Sequence, residues 1–239
     1  MHVPDGIIPL WLLLILYAVS GLFLAFSIRR INRKFDDRLV PYMGVLAAVI
    51  FAAQLVNFPI PPFSSGHLVG STLLAVMVGP YAGIVIMALV LFVQALYADG
   101  GLLTYGLNLF NMGVFSCFFG WALSLLLFKG MRKAMDDKRA VVIGTSIAAF
   151  ITTVIAAFVL GLELLSVSGF NELALAAITG VHAIIGVGEA ILTSVILIYF
   201  VRAKPEIISF LKDSEVKEIA KVIEAEWADP QEETKIVAK

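Results

Sequence analysis

The chain has 239 residues, of which 60% are hydrophobic and 15% charged, and its mean hydropathy is +0.97. Soluble globular proteins carry roughly 45–50% apolar and about 25% charged residues, so this composition predicts an integral membrane protein. The net charge of −1 offers no basic surface for nucleic acid, and the single cysteine excludes an internal disulfide and a thiolate metal cluster.

Seven apolar stretches follow one another along the chain, separated by proline, glycine or charged clusters. The first, residues 7–28, rises about 33 Å as a helix, enough to cross a hydrocarbon core of roughly 30 Å. The remaining stretches are residues 40–58, 68–79, 83–98, 105–128, 140–162 and 173–201. The region 66–98 fits either one long tilted helix or two short helices broken near Gly79-Pro80.

The distribution of basic residues decides between one long helix and two short ones. All seventeen Lys and Arg lie in four segments, namely residues 29–38, 129–139, 202–204 and the tail to residue 239. Cytoplasmic loops are enriched in Lys and Arg, so the four segments share the cytoplasmic side. The chain then crosses an even number of times between the first two segments, which requires two short helices. The sequence therefore predicts an all-α integral membrane protein of seven transmembrane helices, with the amino terminus outside and the carboxyl terminus in the cytoplasm.

The third apolar stretch and the end of the chain differ in character from the other segments. Residues 68–79 are short for a full span and are expected to lie inside the bundle. From Pro205 onward the composition becomes charged, so residues 1–204 are predicted to form a membrane domain and residues 205–239 a cytoplasmic tail. The tail is predicted to be amphipathic and helical, because apolar residues recur at helical spacing: Ile207, Ile208, Leu211, Val216, Ile219, Val222 and Ile223.

The position of His2 beside the amino terminus creates a metal chelate. The Met1 amine, the deprotonated His2 amide nitrogen and His2 Nδ1 can close two rings around one ion, and a fourth in-plane nitrogen completes a square. Such nitrogen sites favour Ni(II) or Cu(II) over tetrahedral Zn(II) and over oxygen-bound Mg(II) or Ca(II). His67, at the end of an external loop, is the natural fourth ligand. The alternatives are a hydrogen-bonded structural His67 and a simply exposed His2.

Several segments of the chain are similar to the CbiM/NikM family, over about residues 1–202. They are Met-His-Val-Pro-Asp-Gly at residues 1–6, Ser-Gly-His-Leu-Val-Gly at residues 65–70, Gly79-Pro80, and residues 180–190 with their histidine and glutamate. Members of this family are substrate-binding membrane subunits of energy-coupling-factor transporters for nickel and cobalt. The amino-terminal block is the most specific element, and its form resembles the nickel branch more than the cobalt branch.

The resemblance implies a seven-helix subunit whose additional first helix delivers the amino terminus into a central pocket. It implies that the metal is bound by the Met1 amine, the His2 amide and imidazole, and His67. It also implies three kinds of partner: a transmembrane coupling (T) subunit, cytoplasmic ATPase (A) subunits and a small accessory membrane subunit. The expected location is the inner or plasma membrane of a prokaryote, as a multi-pass protein.

Polar residues near these ligands are candidates for supporting roles. They are Asp5, Ser64 and Ser65 beside the ligands, and His182 and Glu189, which share one face of the last helix at a spacing of seven. A turn or cap is the alternative role for Asp5, and hydrogen bonding within the bundle is the alternative for the last two. Asn108 and Asn111 are assigned to packing between helices.

Gly44, Ala48 and Ala52 form a stripe of small residues on the second span, where another helix can approach closely. In the family's wider group such faces dock onto the transmembrane coupling subunit. Packing within the chain is the alternative, and the two differ in whether the stripe faces outward.

The chain contains no Gly-x-x-x-x-Gly-Lys-Ser/Thr loop and so lacks an ATP site of that kind. The sequence predicts a non-enzymatic capture subunit for Ni(II) as transported substrate, with Co(II) as the alternative. The chain could instead be a cobalt homologue linked to cobalamin, an autonomous metal permease, a structural scaffold, or an intramembrane hydrolase that uses Ser65 with His67. The hydrolase is disfavoured because these two residues are only two apart and have no third orienting group.

Overall fold

The computed structural model describes residues 1–32, 39–61 and 63–211. Its helices are α1 Leu10–Asn32, α2 Leu39–Gln54, α3 Ser71–Val78, α4 Pro80–Leu96, α5 Tyr105–Met131, α6 Asp137–Leu164 and α7 Glu172–Ala203. A π-helical segment, Leu109–Phe115, lies within α5. Within the described residues, four helices are long and apolar enough to cross a membrane, namely α1, α5, α6 and α7, while α2 and α4 are shorter apolar helices.

The outer faces of these helices are apolar. On α1, Leu10, Leu14 and Leu22 are 61–72% exposed, and on α7, Ile184 and Ile191 are 60–76% exposed. Large contiguous apolar surfaces are rare on soluble proteins and are expected where a helix contacts lipid. The chain is therefore a helical membrane protein.

Helix α3 lies at the centre of the bundle. All side chains of residues 71–77 are buried, and the helix packs against α4, α5 and α6. The chain breaks after it at Gly79, whose φ of 87° and ψ of 156° are not helical, and Pro80 begins α4. Proline is favoured at the first helical position because its missing N–H has no intrahelical partner there. The predicted pair of short helices, with the first inside the bundle, is confirmed.

A two-stranded antiparallel hairpin follows α2, with strands β1 Phe58–Ile60 and β2 Ser64–Gly66. The chain is mostly helical, as predicted, and the hairpin forms within the loop that ends at His67, where Pro59 and Pro61 disfavour helix and favour extended backbone. Phe58 pairs with Gly66, where an added Cβ would lie 2.8 Å from the Phe58 ring. Gly66 therefore allows the ring to cover the strand that leads to His67.

The basic residues of the described chain gather at one end of the bundle. Arg30, at the end of α1, lies 6.0 Å from the Tyr81 ring at the start of α4. Arg139, at the start of α6, shares a cleft with Arg202 at the end of α7. The first residues of the chain and the β1–β2 hairpin lie at the opposite end, as their contacts with the loop before α5 show.

The first residues after α7 pack against the basic end of the bundle. Pro205–Ile207 forms one 3-10 turn rather than the predicted helix, and Ile208 and Leu211 are buried. Ser209 donates from its backbone and side chain to the Val76 carbonyl at 3.0 and 2.6 Å, which satisfies an acceptor at the end of α3. The predicted helical positions Val216, Ile219, Val222 and Ile223 lie outside the described residues.

Candidate metal-binding site

The first three residues of the chain are buried at the end of the bundle away from the basic residues. Met1 and Val3 are 0% exposed and His2 is 3% exposed. The His2 carbonyl accepts from the Ser65 backbone at 3.2 Å and from the Ser64 hydroxyl at 3.3 Å. The His2 backbone N–H donates to Ser65 Oγ at 3.2 Å. Ser64 and Ser65 thus hold the His2 backbone, and the alternative of an exposed His2 is wrong.

The start of α5 holds the other side of this segment. The Val3 N–H donates to Asn108 Oδ1 at 3.0 Å, and the Val3 carbonyl accepts from Asn108 Nδ2 at 3.2 Å and from Thr104 Oγ1 at 2.6 Å. Asp5 accepts from the Thr104 backbone at 3.0 Å. Asp5 therefore fixes the amino-terminal segment to the loop before α5, and Asn108, predicted to serve helix packing, binds the backbone next to His2.

The imidazoles of His2 and His67 lie side by side, with ring centroids 4.4 Å apart and an angle of 24° between the rings. His67 Nδ1 is 2.7 Å from the Leu68 carbonyl and donates to it, so Nε2 carries the lone pair. His2 Nδ1 lies 3.2 Å from Asp99 Oδ1, whereas His2 Nε2 and His67 Nε2 are buried and have no hydrogen-bond partner within the described chain. Buried polar atoms without partners are costly, so these nitrogens are suited to an external ligand.

Burial also sets the charge of these groups. Desolvation lowers the pKa of the Met1 amine from 8.0 to about 4, although Asp99 opposes the shift. Desolvation is also the largest cause of the lowered pKa of His2, and of His67, whose pKa falls well below 6.5. The Met1 amine, His2 and His182 lie close enough to lower the pKa of His67 further. The amine and both imidazoles are therefore neutral at neutral pH and offer lone pairs.

His182 and Glu189 are both buried on α7, but each has its own partner. His182 Nδ1 donates to the Ile178 carbonyl at 2.8 Å, and its Nε2 has no partner among the described residues. Glu189 accepts from the backbone of Gly70 at 2.9 Å and from that of Val69. Glu189 thus ties α7 to the segment that follows His67.

Sequence reasoning missed Asp99, which lies in the turn between α4 and α5. Its Oδ1 is 3.2 Å from His2 Nδ1 and accepts from Asn57 Nδ2 at 2.6 Å. Ala98 and Gly100 on either side have φ of 61° and 89°, and a Cβ at Gly100 would lie 3.1 Å from His2 Cδ2. One sequence signal was present, since Asp99 is an acidic residue in an external loop without basic residues.

An open cleft leads from the surface to His2. Its walls come from the hairpin and from the turn at Asp99, and include Asn57, Ser64 and Ser65. Among the residues that the structure describes, no three His, Cys, Asp or Glu side chains form a metal-binding group. Side chains of these four types therefore do not supply three ligands at the inner end of this cleft within the described chain.

The stripe of Gly44, Ala48 and Ala52 is exposed along α2. A Cβ added at Gly44 would meet nothing within 4 Å in the described chain. The alternative in which this stripe packs within the chain is therefore wrong for the described residues, and the stripe faces outward.

Comparison with known proteins identifies the family. Residues 2–207 match the CbiM family, described as the cobalt uptake substrate-specific transmembrane region. A relative from Archaeoglobus fulgidus, provisionally named a fused nickel transport protein NikMN, is 34% identical over 212 residues, covering 87% of this chain and 68% of the relative. The cobalt transport protein CbiM of Geobacter sulfurreducens is 36% identical over 160 residues, covering 65% of this chain and 43% of the relative.

A solved structure shows the same fold. The crystal structure of a truncated transition metal transporter superposes with a TM-score of 0.75 at 28% identity, covering 84% of this chain and 97% of that one. The family and these relatives are metal transporters and not enzymes, which excludes the intramembrane hydrolase. The membrane fold, the buried amino terminus and the similarity over residues 2–207 lead to one conclusion: the chain belongs to the CbiM family of metal transport proteins.

Proposed function

We propose that this chain is the metal-capture subunit of an ATP-driven importer and binds Ni(II) in a square of four nitrogens. The ligands are the Met1 amine, the His2 amide nitrogen, His2 Nδ1 and His67 Nε2. The observation that carries the proposal is the burial of the neutral Met1 amine and His2 beside the unpartnered Nε2 of His67. Co(II) is the alternative substrate, since relatives named for nickel and for cobalt both occur.

The spacing of the two imidazoles supports this arrangement. With metal–nitrogen bonds of about 2.0 Å and a right angle between neighbouring ligands, imidazole centroids lie roughly 4.4 Å apart. The His2 and His67 centroids are 4.4 Å apart. His2 Nδ1 and His67 Nε2 can therefore occupy neighbouring corners with little movement of the rings. The ion would replace the hydrogen bond from the His2 amide to Ser65 Oγ, because that amide must lose its proton to coordinate.

The chemistry of these donors supports Ni(II). Square-planar nitrogen ligation suits Ni(II) and Cu(II), whereas Zn(II) prefers four tetrahedral ligands and Mg(II) or Ca(II) prefers oxygen. Three carboxylates near the site could supply oxygen, but Asp5 and Glu189 are engaged by the backbone of Thr104 and of Gly70, and Asp99 Oδ1 accepts from Asn57 Nδ2. His182, with its free Nε2, serves as a supporting polar group below His67.

The proposed topology has seven spans, with the amino terminus outside and the carboxyl terminus in the cytoplasm of a prokaryotic cell. The basic residues at one end of the bundle support this orientation, because such residues favour the cytoplasmic side. The cleft to His2 opens at the other end and so receives metal from outside. Residues 1–204 form the metal-binding membrane domain in this proposal, and residues 205–239 the cytoplasmic tail.

The proposed partners are the transmembrane coupling subunit, the ATPase subunits and a small accessory membrane subunit. The chain lacks the phosphate-binding loop of an ATPase, so another chain must supply the energy. The exposed stripe of Gly44, Ala48 and Ala52 is the proposed docking face for the coupling subunit. Ala48→Leu is expected to abolish ATP-driven uptake by the assembled transporter without changing Ni(II) binding to the isolated subunit. Ala177→Leu, at an exposed position on α7, is the matched control.

The test of capture is a Ni(II) titration of the purified protein with its native amino terminus and with one serine added before Met1. Mass spectrometry first establishes that Met1 is retained and unformylated, because a formylated amine cannot coordinate. The addition preserves every side chain but moves the amine, so tight one-to-one binding is expected to weaken at least a hundredfold. Unchanged binding in the extended protein would refute the terminal chelate.

Transport by the isolated subunit separates the importer from the autonomous permease. Ni(II) uptake is measured in proteoliposomes that contain this chain alone, and again after the coupling and ATPase subunits and ATP are added. The proposal predicts binding without net uptake in the first case and uptake in the second. Uptake by the chain alone would support the permease instead.

A further inference from the structure

Asp99 lies between the open cleft and the buried His2 imidazole. Its side chain is 28% exposed, whereas that of His2 is 4% exposed, and its Oδ1 is 3.2 Å from His2 Nδ1. Asp99 is the one acidic residue among the described residues that line the cleft. A cation that enters the cleft therefore meets a carboxylate before it reaches the ring nitrogen.

The carboxylate of Asp99 is held in this position from two sides. Asn57 Nδ2 donates to Oδ1 at 2.6 Å, and the Asp99 backbone N–H donates to the Gln94 carbonyl at the end of α4 at 3.0 Å. Ala98 has a φ of 61°, which is unfavourable for a residue with a Cβ, so this turn has a backbone shape that local sequence alone does not favour. The turn places the Asp99 carboxylate against His2.

The two sides of Asp99 differ in what they offer a divalent cation. The cleft side is solvated and suits a hydrated ion, which a carboxylate binds through oxygen. The inner side offers nitrogen from the buried His2 ring, whose Nδ1 faces Asp99 and whose Nε2 lacks a hydrogen-bond partner in the described chain. An ion that exchanges water for nitrogen must separate Asp99 from His2 Nδ1 on its way in.

We propose that Asp99 is an entrance ligand that binds the incoming hydrated divalent cation and transfers it to His2 Nδ1. This inference rests on the proposed capture function at Met1, His2 and His67, and adds a step before it. Asp99 is absent from the final square of nitrogens. A group that binds the ion only in transit lowers the barrier in both directions, so its loss slows association and dissociation alike and leaves the equilibrium affinity nearly unchanged.

The experiment measures both rates of Ni(II) exchange on the full-length protein in detergent. Association is followed by stopped flow with a metal-indicator dye, and dissociation by transfer to excess chelator, extrapolated to zero chelator. For Asp99→Asn, both rate constants are expected to fall roughly tenfold, at the low end of the electrostatic steering range, while Kd stays within about threefold of the native value. Asp99→Glu is expected to recover most of both rates.

Glu172→Gln provides the matched control, since Glu172 is an exposed acidic residue at the start of α7, at the same end of the bundle. Its removal is expected to leave both rates unchanged. Added salt is also expected to slow Ni(II) association with the native protein more steeply than association with Asp99→Asn. The salt dependence of the native protein can be measured without any variant.

Three results would overturn the proposal. A raised Kd with unchanged association would make Asp99 a permanent ligand or a positioning residue for His2. Native-like rates in Asp99→Asn would show that incoming ions bypass the Asp99 carboxylate. Equal slowing in Glu172→Gln would show that any negative charge at this end of the bundle attracts the ion, without a specific role for Asp99. The proposed function is tested separately, by the equilibrium Ni(II) titration of the native and serine-extended proteins, so its failure is distinguishable from that of the Asp99 proposal.

Discussion

The number of protons released when Ni(II) binds follows from the burial of the amino terminus. The pKa of the Met1 amine is lowered to about 4, and the pKa values of His2 and His67 are lowered below 6.5. At pH 7 none of the three groups carries a proton that the metal must displace. In the proposed site the His2 amide is then the one ligand that gives up a proton, so release close to one is expected.

An unburied amino terminus predicts a different number. With an amine pKa near 8 and an imidazole pKa near 6.5, about nine-tenths of the amine and a quarter of the imidazole are protonated at pH 7, and release is roughly two. Between pH 6.5 and 7.5 the affinity of the folded protein is expected to rise about tenfold, against more than about a hundredfold for the exposed chelate. Affinity falls with falling pH in both cases, but the slope distinguishes them.

Isothermal titration calorimetry in buffers of different ionisation enthalpy measures this release directly. A synthetic peptide of residues 1–6 is the control for the exposed chelate. Release of two or more protons by the protein at pH 7 would refute the neutral buried amine, and release of none would show that the His2 amide does not coordinate. The lowered pKa of the Met1 amine also makes stability depend on pH. As the pH falls below about 8, the amine of the unfolded chain gains a proton and the buried amine of the folded chain does not. The metal-free protein should therefore lose stability from about pH 8 towards pH 4.

Three further predictions follow from individual contacts. Asn108→Ala should weaken Ni(II) binding about tenfold to a hundredfold in titrations, because the Asn108 amide holds the amino-terminal backbone. Asn111→Ala, which loses a hydrogen bond to Glu163 of α6, should not weaken it. Gly70→Ala should lower the free energy of unfolding by about 1–3 kcal/mol, because φ is 77° and the added Cβ meets the Ile50 side chain. Gly180→Ala, whose added Cβ meets nothing within 4 Å in the described chain, should raise it by roughly 0.5–1 kcal/mol. Chemical denaturation of the two variants and the native protein measures both changes. A chain ending at residue 204 should melt at a lower temperature than one ending at residue 211, because it loses the bonds from Ser209 to α3, and equal melting temperatures would contradict this.

The helices could be predicted from the sequence because each membrane helix must satisfy its own backbone and present an apolar surface. The stretch 140–162 became α6, Asp137–Leu164, and the stretch 7–28 became α1, Leu10–Asn32. The ends differ by a few residues because polar residues continue a helix beyond its apolar part. The helix break before Pro80 could also be predicted, because the distribution of basic residues and the chemistry of proline both indicated it.

The arrangement around His2 was harder to predict, because it depends on contacts between residues that are distant in sequence. Val3 bonds to Asn108 and His2 approaches Asp99, and local periodicity carries no information about either pair. The proposed chelate was predicted from the position of His2 beside the amino terminus, whereas Asp99 and Asn108, which contact this segment, were not identified as part of the site. Ser64 and Ser65 were identified as supports, but their place in a hairpin was missed because three prolines in a short loop gave no strand pattern.

In the proposed site, selectivity depends on where the chain begins as much as on which side chains it carries. Two of the four ligands are main-chain nitrogens, and the described residues contain no group of three metal-binding side chains that could replace them. Burial keeps the terminal amine neutral, and an additional residue before Met1 would have to displace the groups packed around it, since Met1 is 0% exposed. A set of side-chain substitutions would therefore identify His2 and His67 and overlook half of the ligands. Only changes to the terminus itself, by formylation or by one added residue, test the main-chain half, and the same changes would switch off capture in a protein whose side chains are all intact.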